Sequence, residues 1–315
     1  MTRIRRWLLC NFALYGLVNL PAAATAQTVP ASPPVQMTTE QPGTRPNDIY
    51  GPRMIYQVIN GQKTLVMYFG GWYRTDPNQL PNDSIYRAVC SAPNACGVAQ
   101  KVIDPVAAHM GSASMVNNPT IVELHNFTRP YLVMYMTGVT GDDRNNAQTV
   151  QNNKIYYSMS WADDGVNWST PQLLIDSAWL PSATLDADNN VILYANTNWN
   201  ENPYFLARWN LGASGIAPAE PEPVITSNGV NYINVEAKYR PQLSRYQIIA
   251  QQVTAGFNSE VDFLESQDGV NWDVRATNIA PPAMTPGVHP DTSCWLYFAQ
   301  APRVYLSNIY LKPWC

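Results

Sequence analysis

Few side chains in this 315-residue sequence are placed to do acid–base or ligand chemistry. Asp48 stands four residues before Pro52, and Glu236 lies within the strand-like run Asn234-Val235-Glu236-Ala237. Two carboxyl groups on opposed strands can serve as general acid and general base, and partial burial raises the pKa of the one that must hold a proton. The competing reading is that Asp48 caps a turn and Glu236 pairs with Arg53 or Lys238. Arg53, directly after Pro52, presents a guanidinium fork suited to bidentate contact with a carboxylate. Glu123 sits further along its own run and reads as a structural or surface acid. No Gly-rich phosphate loop, HExxH pair or Gly-x-Ser-x-Gly elbow occurs.

The elements that must position these residues repeat. Pro52-Arg53-Met54-Ile55 leads across Asn60-Gly61 to Leu65-Val66-Met67-Tyr68, and Pro119-Thr120-Ile121-Val122 leads to Leu132-Val133-Met134-Tyr135. The Pro-to-Tyr spacing is 16 in both, and the copies are 67 residues apart. Looser copies begin at Pro181, near Val235 and at Pro286, so starts fall near 52, 119, 181, 235 and 286. Later in the unit, Asp164-Gly165-Val166-Asn167-Trp168 and Asp268-Gly269-Val270-Asn271-Trp272 are identical pentapeptides 104 residues apart. Asp-Gly between strand-like runs marks a hairpin, because glycine accepts φ > 0. In the first unit Cys90 and Cys96 bracket the place of Asp-Gly, so a disulfide is expected to staple that hairpin. The repeats predict an all-β chain, a five-bladed β-propeller of four-stranded antiparallel blades. A sandwich or a stacked solenoid explains them less well.

The N-terminus has the pattern of a secretion signal over residues 1–26: Arg3, Arg5 and Arg6, an apolar run from Trp7 to Leu20, and Ala24-Thr25-Ala26 before Gln27. Residues 27–46, with Pro30, Pro33, Pro34, Pro42 and Pro46, read as a disordered leader, and 47–315 as the propeller. The expected location is secreted or periplasmic. The chain after the signal carries 16 basic and 23 acidic residues and no Lys/Arg run, which gives nucleic acid or a membrane surface little to hold. A monomer is expected. Four cysteines remain, an even number that implies disulfides in an exported chain. They allow three pairings, and closeness in sequence favours Cys90–Cys96 and Cys294–Cys315. A zinc site is the alternative. Asn82, Asn126 and Asn167 match the N-glycan acceptor pattern.

A Pro-led first strand, a second strand ending Tyr-x-x-Gly, and Ser-x-Asp-Gly-x-x-Trp together resemble the five-bladed glycoside hydrolases. These are glycoside hydrolase family 43 and the invertase and levansucrase group, and the resemblance covers about residues 48–311. It implies an active site at one end of a central channel, where the innermost strands begin, and a glycan of arabinose, xylose or fructose as substrate. It also implies acids at those strand starts, but Gly51, Asn118 and Leu180 precede Pro52, Pro119 and Pro181. Asn118-Pro119-Thr120 looks like the family's Asp-Pro-Ser with the acid exchanged for its amide, which can bind a sugar hydroxyl but cannot act as a base. On this reading Asp48 and Glu236 are the catalytic candidates, and cleavage needs them ~5 Å apart for retention or ~6.5–9.5 Å for inversion. Arg53, Asn118, Tyr50, Trp72 and Trp199 are the substrate-binding candidates, the aromatics by stacking on sugar rings. Gly287-Val288-His289 resembles the family's histidine that helps hold a central ion, often calcium. A non-catalytic glycan-binding propeller descended from such enzymes stays open, as does a scaffold that binds protein.

Overall fold

The computed structural model describes residues 36–38, 48–72, 83–110, 113–125, 128–140, 153–199, 202–217, 219–253, 259–288, 290, 295–303 and 306–313. They form a propeller-like arrangement of sheets with almost no helix. The first sheet holds β1 (Gln36–Thr38), β2 (Asp48–Ile59), β3 (Gln62–Trp72), β4 (Ser84–Ala92), β5 (Ala95–Val98) and β6 (Gln100–Ile103). The second is the antiparallel set β7 (Ala113–Leu124), β8 (Tyr131–Thr140), β9 (Asn153–Trp161) and β10 (Gln172–Ile175). The third is β11 (Ala178–Leu185), β12 (Val191–Trp199), β13 (Asn202–Asn210) and β14 (Glu222–Pro223), again antiparallel. The fourth joins β15 (Ile225–Thr226), β16 (Tyr232–Arg240), β17 (Arg245–Gln252), β18 (Ser259–Ser266), β19 (Asn271–Val288), β20 (Trp295–Arg303) and β21 (Leu306–Pro313).

The described residues therefore form four sheets, of six, four, four and seven strands, where five separate four-stranded blades are expected. The physical reason is β19. It runs 18 residues without a turn, pairing with β18 along its first part and with β20 at Met284–Val288. The expected fourth and fifth units are thereby one continuous sheet. The expected leader also holds more structure than its composition suggests, since β1 pairs in parallel with β5. β15 pairs in parallel with β19 in the same way, each short strand adding an outer edge just before an inner strand begins.

Local chemistry explains the hairpins. Asn60 and Gly61 both take positive φ, as the tight turn between β2 and β3 requires. In the identical pentapeptides, Asp164 Oδ1 accepts from the amides of Val166 and Asn167 at 3.1 and 3.3 Å, and Asp268 Oδ1 from those of Val270 and Asn271 at 2.8 Å. The Trp168 and Trp272 indoles donate back to the carbonyls of Gly165 and Gly269. The side-chain amide of Asn167 is held by Asp164, so this acceptor site is part of a turn. Asn82 and Asn126 lie outside the described residues.

The core lies between sheets. Val66, Tyr68, Ile85, Leu132, Met134 and Tyr156 fill the space between the first and second. Tyr135, Ile155, Leu193 and Trp209 do so between the second and third, and Tyr194, Leu206, Ile248 and Trp272 between the third and fourth. The same tyrosine device crosses each interface. Tyr68, Tyr135 and Tyr194 donate to the carbonyls of Gly165, Gly215 and Gly269 in the next sheet, at 2.9, 2.6 and 2.9 Å. Tyr68 and Tyr194 also meet Trp168 and Trp272 edge-on. The tryptophans of the pentapeptides thus pack between sheets, as a structural reading of that motif requires. Burial pushes all three phenols well above their ordinary pKa, so they remain donors.

Cys90 and Cys96 are bonded and face each other across β4 and β5, as expected. Cys294 and Cys315 lie outside the described residues.

Candidate active site at the ends of the inner strands

Each inner strand breaks register at the same place. The breaks fall between Tyr50 and Arg53, Asn117 and Thr120, Trp179 and Ser182, Ile233 and Glu236, and Met284 and Gly287. In the first four the extra residue is left-handed: Gly51, Asn118, Leu180 and Asn234 have φ of 60°, 48°, 53° and 50°. This is a β-bulge repeated around the axis, and it re-aims the residue that follows. It also gives a local reason for the amide at Asn118, because asparagine tolerates this conformation best after glycine. The residues after the bulge, Arg53, Thr120, Ser182, Glu236 and Gly287, stand opposite Tyr68, Tyr135, Tyr194, Ile249 and Tyr297.

These positions bind neighbouring strands to one another. Thr120 Oγ1 accepts from the Ala183 amide at 3.0 Å, and Ser182 Oγ accepts from the Ala237 amide at 2.9 Å. Arg53 Nη1 lies 2.7 Å from Glu236 Oε2, with side-chain exposures of 9% and 6%. The same guanidinium donates to the carbonyls of Pro286 and Val235 at 2.8 and 3.0 Å. Ser182 reaches the same Glu236 oxygen at 3.5 Å, and Lys238 Nζ lies 3.9 Å from Oε1. Burial lowers the pKa of Arg53, and the Glu236 charge opposes that shift; Arg240, half-buried, is affected in the same way by the same two causes. The pairing of Glu236 with Arg53 and Lys238, the alternative to a catalytic role in the sequence, is thus present in the structure.

At the starting end of β2, the Tyr50 hydroxyl donates to the Asp83 carboxylate, which also accepts from Asn117 Nδ2 at 3.4 Å. Asn118 Nδ2 donates to Asn117 Oδ1 at 3.0 Å, while Asn118 Oδ1 is buried with no hydrogen-bond partner among the described residues. Asp83 was not singled out as a site residue, because it directly precedes β4 and the one pattern around it is the glycan-acceptor triplet Asn82-Asp83-Ser84. Its register gives the signal: it stands four residues before Arg87, opposite Tyr68, as Asn153 stands four before Tyr157, opposite Tyr135. Both are buried polar residues at the start of a third strand.

Asp48 pairs with Trp72 through the backbone, and Trp199 pairs with Asn202, so all of these fall at the strand ends beside the bulges. The side chains of Asp48, Trp72 and Trp199, and the whole of His289, lie outside the described residues. No group of three or more His, Cys, Asp or Glu able to hold a metal occurs among the described residues. A cavity of about 160 Å³ lined by Phe205, Leu206, Val224 and Tyr232 lies in the packing of the third sheet against the fourth.

No protein-family model and no curated protein matches the sequence. Solved structures do resemble it. An N-acetylgalactosamine deacetylase from F. plautii, in complex with blood group B trisaccharide, superposes with a TM-score of 0.60 at 14% identity, over 89% of this chain and 94% of that one. A family 117 glycoside hydrolase from Zobellia galactanivorans gives 0.61 at 14% identity, over 89% of both chains. A family 43 β-xylosidase/α-arabinofuranosidase from a compost microbial metagenome, in complex with xylotriose, gives 0.57 at 10% identity, over 86% and 93%. At such identities the likeness is one of fold. The chain has the propeller-like fold found in glycoside hydrolases of families 43 and 117.

Proposed function

We propose that this protein is an exported, glycoside hydrolase-like propeller that acts on a glycan where its inner strands begin, with Glu236 and Asp48 as the working carboxyl groups. The observation that carries the reading is the position of Glu236, a buried carboxylate immediately after an inner-strand bulge and held by a guanidinium from another sheet. Tyr50, Asn118, Trp72 and Trp199 form the rim that receives the sugar, and Arg53 fixes the carboxylate. The glycan is built of arabinose, xylose or fructose; the xylotriose complex of a structural neighbour favours the first two, and other neighbours act on galactose-containing glycans. The protein works as a monomer. The bonded Cys90–Cys96 pair supports an oxidising compartment, hence export. No described helix is long and apolar enough to cross a membrane.

We also infer that β19–β21 act as a fifth unit. The bulge at Met284–Gly287 repeats those of the other four inner strands. The inner strands touch in order, β2 to β7, β7 to β11, β11 to β16 and β16 to β19, and β19 returns to β2.

One observation favours a second reading, non-catalytic glycan binding. Of the residues at and after the five bulges, Glu236 is the one carboxylate, and it is engaged by Arg53. Turnover of aryl xylosides, aryl arabinofuranosides and fructan by the wild type, Asp48→Asn and Glu236→Gln separates the two. Cleavage lost in both variants supports the enzyme. Oligosaccharide binding without cleavage supports the second reading. Activity unchanged in both variants removes these carboxylates from the mechanism.

A further inference from the structure

The oxygens that converge beside the bulges surround a cation belonging to the chain itself. Glu236 Oε2 and the carbonyls of Pro286 and Val235 lie 2.7, 2.8 and 3.0 Å from the two terminal nitrogens of Arg53. They come from β16 and β19, whereas Arg53 comes from β2. Two backbone carbonyls and a carboxylate around one positive centre is the donor set of a hard-cation site. Their distances are those of charge-assisted hydrogen bonds to a planar guanidinium, which fills the space between them. Little room is left beside it. A Cβ on Gly287 would collide with the Pro52 carbonyl and come within 3.7 Å of Arg53 Nη1. Further positive charge stands close by, with Lys238 at the other oxygen of Glu236 and Arg240 within reach of the same carboxylate's field.

We propose that Arg53 is a built-in cation of the fold that ties β2 to β16 and β19, so that the oxygens gathered beside the bulges close on a guanidinium and not on the calcium ion that the resemblance to family 43 implies. The described residues thus do not fit a calcium ion at this point, because the oxygens that would bind it are already committed to the guanidinium. The same feature explains why glycine is needed at position 287: any side chain there would separate β19 from β2 at the place where the guanidinium joins them.

The test is thermal unfolding of the full mature chain with millimolar EDTA, with millimolar calcium, and with neither. The wild type is expected to keep its Tm to within about 1 °C in all three, since a chain that binds no metal there gains nothing from it. Arg53→Ala is expected to unfold roughly 6–15 °C lower, as loss of one partner of a buried ion pair does in a chain of this size. Methylguanidinium chloride should restore part of that loss, and tetramethylammonium chloride at equal ionic strength should not. Arg53→Lys, which keeps the charge but loses the fork, should fall in between. A wild-type Tm that drops with EDTA and returns with calcium overturns the proposal, as does a folded Arg53→Ala that methylguanidinium does not rescue. If Arg53→Ala does not fold, the chelation result on the wild type and the Tm of Arg53→Lys decide. None of these readouts involves a glycan, so the outcome is independent of the proposed activity.

Discussion

The guanidinium of Arg53 and the carboxylate of Glu236, on inner strands of the first and fourth sheets, lie 2.7 Å apart, and both side chains are nine-tenths buried or more. Desolvating two charges is costly, and their mutual attraction offsets the cost only while both are present. Glu236→Gln should therefore lower the unfolding free energy by about 3–5 kcal/mol, because it leaves an uncompensated buried guanidinium. Arg53→Met combined with Glu236→Leu should lose much less than the sum of the single changes. Urea denaturation of the wild type, Glu236→Gln, Arg53→Met, Glu236→Leu and the double variant checks this; additive losses in the double variant would show that the two groups do not act as a pair.

The hydroxyl of Tyr194 and the carbonyl of Gly269 join the third sheet to the fourth at 2.9 Å. Tyr194→Phe should cost about 1–2 kcal/mol, since it strands a buried carbonyl. Gly269→Ala should cost more. Its φ is +76°, and a Cβ would sit 2.7 Å from the Tyr194 hydroxyl. A Gly269→Ala variant as stable as the wild type in denaturant would show that this contact does not hold the sheets together.

Asp268 carries a pH dependence. Desolvation pushes its pKa up, but hydrogen bonds from Asn271, Val270 and Ser266 outweigh that and hold it well below the usual carboxylate value. Asp164 is lowered by the equivalent contacts in its own turn. A carboxylate whose folded pKa is depressed adds stability that is present above its unfolded pKa of ~3.9 and is lost as pH falls through the folded value. The wild type should thus lose stability as pH falls below about 4. Asp164→Asn combined with Asp268→Asn should flatten the curve there, because an amide oxygen can still accept the turn's hydrogen bonds but does not titrate. Parallel curves for the two proteins between neutral pH and pH 3 would contradict this assignment.

In the first sheet the disulfide stands where the second and fourth sheets have a pentapeptide turn. Closing so short a loop should contribute about 2 kcal/mol. Cys90→Ser with Cys96→Ser should lower the denaturation midpoint accordingly. It should also expose the amides of β1 to hydrogen exchange, because Met37 pairs with Cys96 on the stapled hairpin. Exchange at β1 unchanged by the substitutions would uncouple the staple from that edge strand.

The repeat was legible because each copy needs the same turn and interface chemistry. The left-handed Asn60-Gly61 turn, the Asp-Gly pentapeptides and the Tyr at the end of the second strand all leave fixed residue types at fixed spacing. The merging of the last strands was not legible. Continuity of β19 through Asn278 and Pro281-Pro282 depends on which neighbours it pairs with, and its composition reads as a break. At the site, the sequence offered Glu236 and Arg53 as separate candidates with their pairing as the alternative, and proximity across 183 residues of chain is a property of the closed ring. The bulges were invisible for a different reason. Gly51, Asn118 and Leu180 were noticed as missing acids, while the feature they share, a positive φ, is a backbone property that leucine does not advertise. Asp83 was missed because the one pattern around it, the acceptor triplet Asn82-Asp83-Ser84, points to a modification and not to a sugar site.

Calorimetric titration with arabino- and xylo-oligosaccharides tests the central claim, that a glycan is held where the inner strands begin. The wild type should bind at least one of them, and Tyr50→Ala should weaken binding at least about tenfold, the loss expected for one stacked aromatic. Trp161→Ala, at an exposed tryptophan on the opposite strand ends, should leave the affinity unchanged. Binding that survives Tyr50→Ala and is lost in Trp161→Ala, or a wild type that binds none of these sugars, would contradict it.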